Sequence, residues 1–209
     1  MVGSMLAQSW GLYTPPAAFV NIRPGHWYKI GNTNVLAFGS KRIDNVIDIN
    51  STTIGSIRPS EKILFDILNI ALFDIWIANE DRNANNANLM YDIERESLVS
   101  IDYGCIFNTA MYDYPLSRLT STDTILTSEL FWHLQKGQSV KETASKVMTV
   151  FMNNVYRCKA TANIIMQELP KQWGVSANLV QSKLDQLIDD DWCESALTIF
   201  NDYLSENIR

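Results

Sequence analysis

The sequence predicts an α+β fold, in which a small antiparallel sheet near the start is followed by a mainly helical part. Residues 1–50 contain short apolar segments separated by glycine turns, a pattern typical of strands. From residue 51 onward, apolar residues recur at intervals of three and four, which indicates helices. With 209 residues, of which 46% are hydrophobic, the chain is long enough for one domain or two tightly joined lobes.

The first 50 residues combine one helix with a small sheet. Residues Ser4–Gly11 form a predicted amphipathic helix that ends at the glycine, and two prolines then prevent its continuation. Three strands are predicted, with turns at Gly25 and Gly31-Asn32 between them: Ala18–Ile22, Trp27–Ile30 and Asn34–Phe38. A polar stretch, residues 45–57, leads from this sheet to the helical part.

Helices dominate the rest of the chain. A long and nearly all-apolar helix begins after Ser60, its predicted N-cap, and ends near Asn79. A hairpin follows, and its second strand leads to Asp102. Ser139 and Glu142 form a predicted capping box at the start of a later helix. The hairpin strands are predicted at 89–91 and 98–101, and the later helices at about 127–135, 140–157, 160–169, 176–189 and 192–206.

Composition and charge argue against several classes of protein. The net charge of −6 argues against nucleic acid as a direct partner. The apolar run from Ile63 to Ala78 is interrupted by Asp66 and Asp74, so it predicts a buried helix and no membrane span. The two histidines, His26 and His133, have no Ser or Cys partner in a recognisable hydrolase motif. The three cysteines lack metal-ligand spacing, so we expect free thiols. The first residues do not resemble a signal peptide, and together with free thiols this predicts a cytoplasmic location.

Two short segments carry the residues that indicate chemistry. They are Asn-Glu-Asp-Arg-Asn-Ala-Asn-Asn-Ala-Asn-Leu-Met at residues 79–90 and Ile-Asp-Tyr-Gly at residues 101–104. Asp81 is the type of residue that orients and deprotonates an acceptor hydroxyl in phosphoryl transfer. Asn86 and Asp102 offer oxygen ligands of the kind that Mg²⁺ prefers. A rigid helix before the loop and a hairpin after it are expected to hold these side chains in place.

Other residues of the two segments have more than one interpretation. Arg82 either neutralises a phosphate or locks the loop by pairing with a carboxylate. Gly104 is expected to let the backbone turn sharply after Asp102. Asn and Asp side chains also favour turns for purely local reasons, so a loop without chemistry is the simpler alternative. The order and spacing of the residues, together with the helix and the hairpin, favour a site.

Residues 73–90 and 101–104 together resemble the catalytic core of HipA-like kinases and, more distantly, the DRxxxN loop of phosphoinositide kinases. Asn34–Ser40 resembles the hinge strand of the same family. The resemblance implies a truncated protein-kinase-like fold. In it, residues 1–50 are a remnant of the small lobe with the hinge strand, and residues 51–209 are the helical catalytic large lobe.

The resemblance also implies a role for five positions. Asp81 matches the catalytic aspartate of the family, and Asn86 and Asp102 match its two metal ligands. The backbone near Ala37 and Phe38 matches the segment that binds adenine. The implied activity is phosphorylation of a Ser or Thr hydroxyl with ATP and Mg²⁺, on a protein substrate in the cytoplasm and in a toxin–antitoxin setting.

The chain departs from the family pattern upstream of the long helix. It contains no GxGxxG or GxxxxGK phosphate loop, and its only lysines before residue 60 are Lys29 and Lys41. Both follow the point at which the strand lysine of the family is expected. Three explanations stay open: a truncated chain or gene, a split kinase completed by a partner protein, or a degenerate binding module. The alternative function is accordingly that of an inactive, kinase-like protein-interaction module.

Overall fold

Two antiparallel sheets, six α-helices, a short left-handed segment at Ile106–Ala110 (α3) and four short 3₁₀ turns make up the part of the chain that the computed structural model describes, residues 1–23 and 34–209. The elements in chain order are α1 (Val2–Trp10), β1 (Ala17–Ile22), β2 (Val35–Ser40), β3 (Val46–Asp48), α2 (Glu61–Ile77), β4 (Leu89–Asp92), β5 (Ser97–Ser100), α3 (Ile106–Ala110), α4 (Glu129–Leu134), α5 (Val140–Glu168), α6 (Ala177–Leu187) and α7 (Asp190–Asn207). The predicted α+β fold, a small antiparallel sheet followed by a mainly helical part, is confirmed.

The first helix and the first sheet follow the sequence pattern. Gly11 ends α1 in the left-handed conformation with φ 95°, as predicted for a glycine at that position. Strands β1 and β2 pair in antiparallel fashion, with Phe19 opposite Phe38. The predicted strand Trp27–Ile30 and the turns at Gly25 and Gly31-Asn32 lie outside the described residues.

Helix α2 is the centre of the core. The Ser60 hydroxyl accepts a hydrogen bond from the Ile63 amide at 3.3 Å, which confirms the predicted N-cap. Trp10 of α1 packs against α2, with its ring centroid 4.9 Å from that of Trp76, and its indole N–H donates to Asn69 Oδ1 at 2.8 Å. Helices α5 and α7 also pack on α2, so this helix is buried along most of its length. A buried helix of this kind gives the loop that follows it a rigid support.

The hairpin that leads to Asp102 belongs to a three-stranded sheet. Strands β4 and β5 form the predicted hairpin, and β3, which the sequence did not predict, pairs with β4 on its other side. The sheet is attached to α2 because Asp66 Oδ2 accepts a hydrogen bond from the Leu98 amide at 3.1 Å. The second strand of the hairpin is therefore fixed against the core helix.

Two predictions about the later helices are wrong. Residues 140–157 and 160–169 belong to one continuous helix, α5, because no proline or glycine interrupts Val140–Glu168. The predicted capping box at Ser139 is absent, and Glu142 pairs with Lys146 at 3.0 Å instead. Helix α7 does have an N-cap, since Asp189 accepts hydrogen bonds from the Asp191 and Trp192 amides. No helix among the described residues combines the length and apolar character needed to span a bilayer.

Candidate active site

The loop between α2 and β4 is built by asparagines with different tasks. Ala78 ends α2 in the left-handed conformation, with φ 51°. Asn83 makes the turn, because its side-chain oxygen accepts hydrogen bonds from the Asn85 amide at 3.0 Å and the Asn86 amide at 3.2 Å. Asn83 thus has the local turn role that the simpler alternative assigned to the whole loop. The side chain of Asn86 is left for another contact.

Asp81 is held by two side-chain amides. Its Oδ1 accepts a hydrogen bond from Asn86 Nδ2 at 2.9 Å, and its Oδ2 accepts one from Asn88 Nδ2 at 2.8 Å. The structure therefore brings together the predicted base and one predicted metal ligand. Sequence reasoning missed Asn88, although its amide type and its position two residues after Asn86 were visible in the sequence. With both oxygens bound, the Asp81 carboxylate has a fixed orientation.

Arg82 locks the loop to the core, which is one of its two predicted roles. The side chain is fully buried, and its Nε donates to Asp74 Oδ2 at 2.7 Å. Its remaining nitrogens donate to the carbonyls of Ala87, Asn88 and Ile101. A single guanidinium thereby connects α2, the Asp81 loop and the segment that leads to Asp102.

The electrostatics of this buried pair explain why Asp74 lies within an apolar helix. Burial raises the pKa of the Asp74 carboxyl, while the Arg82 charge and the Asn79 side-chain amide, which donates at 2.8 Å, lower it. The charge of Asp74 in turn raises the pKa of Arg82. Sequence reasoning did not assign this role to Asp74, and the available signal was a carboxylate in a fully apolar stretch.

Asp102 lies directly beyond the end of β5 and is exposed. Its φ is 55°, so the left-handed residue in this turn is Asp102, and Gly104 does not adopt a positive φ. Asp102 Oδ1 accepts a hydrogen bond from the Gly104 amide at 3.2 Å, and the preceding Ile101 amide donates to Asn88 O at 3.0 Å. The second of these bonds joins the Asp102 segment directly to the Asp81 loop.

The thiol of Cys105 lies in the electrostatic field of the site's carboxylates. Burial raises the pKa of this thiol, and three neighbouring negative charges raise it further, those of Asp81, Asp102 and Glu80. Asp81 and Asp102 therefore both act electrostatically on the same thiol. All three cysteines of the chain are free thiols, as predicted.

A cleft of about 600 Å³ lies beside Asp102. Phe38 and Lys41 line it together with Met90, Asp102 and Gly104. Ala37 lies in β2 opposite Val20, next to the lining residue Phe38. The loop residues Asp81 and Asn86 are not among the described residues that line this cleft.

The donor atoms suit a hard divalent cation. Asn86 uses its Nδ2 toward Asp81, and its Oδ1 has no hydrogen-bond partner in the described part of the chain. Asp102 likewise has Oδ2 without a hydrogen bond from any described residue. Amide and carboxylate oxygens are ligands for Mg²⁺, which usually takes only one or two carboxylates and completes its shell with water and substrate phosphates. The described residues hold no group of three or more His, Cys, Asp or Glu side chains arranged for a metal ion.

Comparison with known proteins gives the class and then the family. The arrangement of an Asp–Asn loop, a second aspartate and an adjoining cleft is that of a kinase-like domain. A family model described as HipA-like kinase matches residues 1–202. The chain therefore belongs to the HipA-like kinase family, and with it to the kinases and transferases. Searches among curated proteins and among solved structures gave no significant match.

Proposed function

We propose that the chain transfers the γ-phosphoryl group of ATP to a Ser or Thr hydroxyl of a protein substrate. The observation that carries this proposal is the fixed Asp81 carboxylate, held by the Asn86 amide on a loop that Arg82 joins to the Asp102 segment. Phosphoryl transfer depends mainly on positioning and on charge stabilisation, and a preorganised loop of this kind provides the positioning.

Asp81 is the proposed base. It takes the proton of the acceptor hydroxyl as the oxygen of that hydroxyl bonds to the γ-phosphorus, while the bond from that phosphorus to the β–γ bridging oxygen breaks and ADP leaves. The two amides that donate to Asp81 keep its carboxylate from rotating, so no reorganisation is needed during the reaction. Arg82 is buried against Asp74, so its role is to hold the loop and it does not reach the phosphate.

Asn86 and Asp102 are the proposed metal ligands, through the oxygens that no described residue occupies. Mg²⁺ would neutralise charge on the phosphates and orient the γ-phosphoryl group. The backbone of Ala37 and Phe38 is the proposed contact for adenine, since Phe38 lines the cleft that Asp102 also lines. The general use of ATP and a divalent metal by kinases supports this assignment.

The second candidate is an inactive kinase-like module that binds another protein. Val20 and Val35 lie on one face of the β1–β2 sheet and are 45% and 38% exposed, so this face offers apolar side chains to a partner. A partner protein that covers these residues would serve either an interaction module or a kinase that a partner completes. Nucleotide binding separates an active kinase from a module without a working site.

The test is thermal unfolding with and without Mg·ATP. At about ten times the Kd we expect Mg·ATP to raise the Tm by roughly 3–5 °C, because ligand binding stabilises only the folded state. Asp102→Ala should abolish the rise by removing a proposed metal ligand. Asp202→Ala, which removes an exposed carboxylate of α7, should retain it. The absence of any shift for the unaltered chain at millimolar Mg·ATP would contradict the proposal.

A further inference from the structure

The segment after Asp102 has an unusual backbone that something must hold in place. Phe107, Asn108 and Thr109 have φ values of 58°, 53° and 59°, so three successive residues other than glycine are left-handed. Such residues cost free energy individually and persist only where the surrounding structure enforces the conformation. The contacts of this turn therefore identify what enforces it.

Asn108 makes most of those contacts. Its backbone N–H donates to Ala78 O at 2.9 Å, at the end of α2. Its Oδ1 accepts a hydrogen bond from the Ser117 amide at 2.8 Å, and its Nδ2 donates to Ser117 O at 3.1 Å. The residue is buried, with 8% exposure, and these bonds are partly shielded from water.

The same amide reaches the residue that precedes the proposed base. Asn108 Nδ2 also donates to Glu80 Oε1 at 3.0 Å, and the Thr109 hydroxyl donates to Glu80 Oε2. Both oxygens of Glu80 are thus bound by the left-handed turn. We name this pair of residues, with its hydrogen bond, the Glu80–Asn108 clamp.

The clamp completes the support of the Asp81 loop. On the C-terminal side of Asp81, the loop is held by Arg82 and by the amides of Asn86 and Asn88. On the N-terminal side, the Glu80 side chain is the connection to the Asn108 side chain, beside the backbone bond from the Asn108 amide to Ala78 O. A base fixed on both sides keeps its position when the acceptor hydroxyl arrives.

We propose that Asn108 is a positioning residue, which acts through Glu80 to set the place of Asp81 relative to Asp102. This inference depends on the proposed kinase activity. It assigns a task to a residue that contributes neither a proton acceptor nor a metal ligand.

The test is Asn108→Gly, because glycine keeps the left-handed backbone and removes only the side-chain bonds. We expect kcat for γ-phosphate release from Mg·ATP, the reaction in which water replaces the acceptor hydroxyl, to fall by about 10- to 100-fold, the usual effect of a displaced catalytic group. The KM for ATP and the Tm rise with Mg·ATP should stay within about twofold of the original values, because the metal ligands are untouched.

Asn45→Gly is the matched control. Asn45 is also left-handed, with φ 61°, and its Nδ2 donates to a glutamate, Glu94, at 2.6 Å, but it is exposed and lies just before β3. This variant should keep full activity.

A rescue experiment exchanges the hydrogen-bond donor and the acceptor of the clamp. Asn108→Asp alone places two carboxylates face to face and should lose activity, and Asn108→Asp with Glu80→Gln should recover part of it.

Several results would overturn the inference. Unchanged kcat in Asn108→Gly would show that the clamp is idle, and joint loss of kcat and of the Mg·ATP-induced Tm rise would indicate general damage to the site. If the unaltered chain releases no phosphate, the proposed function fails first, and hydrogen exchange then tests the clamp by itself. In that case, Asn108→Gly should speed exchange at the Asn83 and Asn86 amides, and unchanged exchange would refute the clamp.

Discussion

A charged side chain that is fully buried must find its partners inside the protein, and Arg82 finds them in one carboxylate and three carbonyl groups. The ion pair with Asp74 has little exposure on either side, so water does not screen it. At the scale of single residues, the candidate site depends on this buried group as much as on the exposed Asp102. The exposed pair Arg42–Asp44, at 3.0 Å, is the contrasting case.

Arg82→Met tests the role of the buried pair. We expect the free energy of unfolding to fall by about 3–5 kcal/mol, because Asp74 is left as an uncompensated buried charge. Arg82→Lys should be intermediate, since it keeps the charge and loses the planar set of donors. Arg42→Met is the control and should leave stability unchanged within error. Denaturant unfolding measures all three, and equal stability of Arg82→Met and Arg42→Met would contradict this account.

The same scale shows what the sequence could reveal about the site. The residue types and the order of Asp81, Asn86 and Asp102 led to the predicted site; the structure bonds Asp81 to Asn86 and joins the segment before Asp102 to the loop, and the three roles stay predictions. The sequence could not decide between the two roles of Arg82. The decision depends on which carboxylate the fold brings next to the guanidinium. Asn83 and Asn86 likewise have the same chemistry and differ only in which one the turn uses.

At the scale of elements, α1 approaches the site very closely through Gly3. A Cβ atom added there would lie 2.6 Å from Tyr103 Cβ, in the residue next to Asp102. Gly3→Ala should therefore destabilise the protein by about 1–3 kcal/mol through overpacking, although alanine normally favours a helix. Gly55→Ala is the control, since a Cβ there meets nothing within 4 Å. Thermal unfolding measures the Tm of both variants. A higher Tm for Gly3→Ala than for the original chain would show that α1 does not pack as described.

The contact between α2 and β5 gives stability a dependence on pH. Burial raises the pKa of Asp66 from 3.8 to about 6, against the opposing hydrogen bond from the Leu98 amide. The folded state therefore binds this proton more tightly than the unfolded state does. The contribution of Asp66 to the free energy of unfolding is fully present below pH 3.8 and is lost as the pH rises through about 6.

Asp66→Asn removes the titration and keeps an oxygen that can accept from Leu98. We expect this variant to be more stable than the original at pH 8, on the order of 2 kcal/mol, and to lose part of the decline in stability between pH 4 and 6. Asp202→Asn, at an exposed position of α7, is the control. Urea unfolding across this pH range measures the effect, and parallel pH profiles for all three proteins would contradict it.

Elements with strong local signals were predictable, and those fixed by distant partners were not. The long apolar helix, its Ser60 cap and the hairpin followed from periodicity and capping. Strand β3 has only three residues and is a strand because it pairs with β4, about 45 residues later along the chain. The single helix α5 was within reach of the sequence, because nothing between residues 157 and 160 breaks a helix.

At the scale of the whole molecule, the candidate site joins two regions that are distant in sequence. Phe38 of β2 and Lys41 just after that strand line the cleft together with Asp102, which lies in the segment after β5. The sequence predicted the contents of each region and could not predict the cleft between them, because no local pattern encodes that approach. The division into residues 1–50 and 51–209 stays a prediction.

The most direct test of the central claim compares Mg·ATP affinity with γ-phosphate release in the original chain and in Asp81→Asn. We expect release by the original chain, a loss of about 10²- to 10⁴-fold in the variant, as for removal of a general base, and a Kd for Mg·ATP that changes less than twofold. Calorimetry gives the Kd, and labelled phosphate gives the rate. Unchanged release in Asp81→Asn, or loss of nucleotide binding together with release, would contradict the assignment of Asp81 as the base of a kinase.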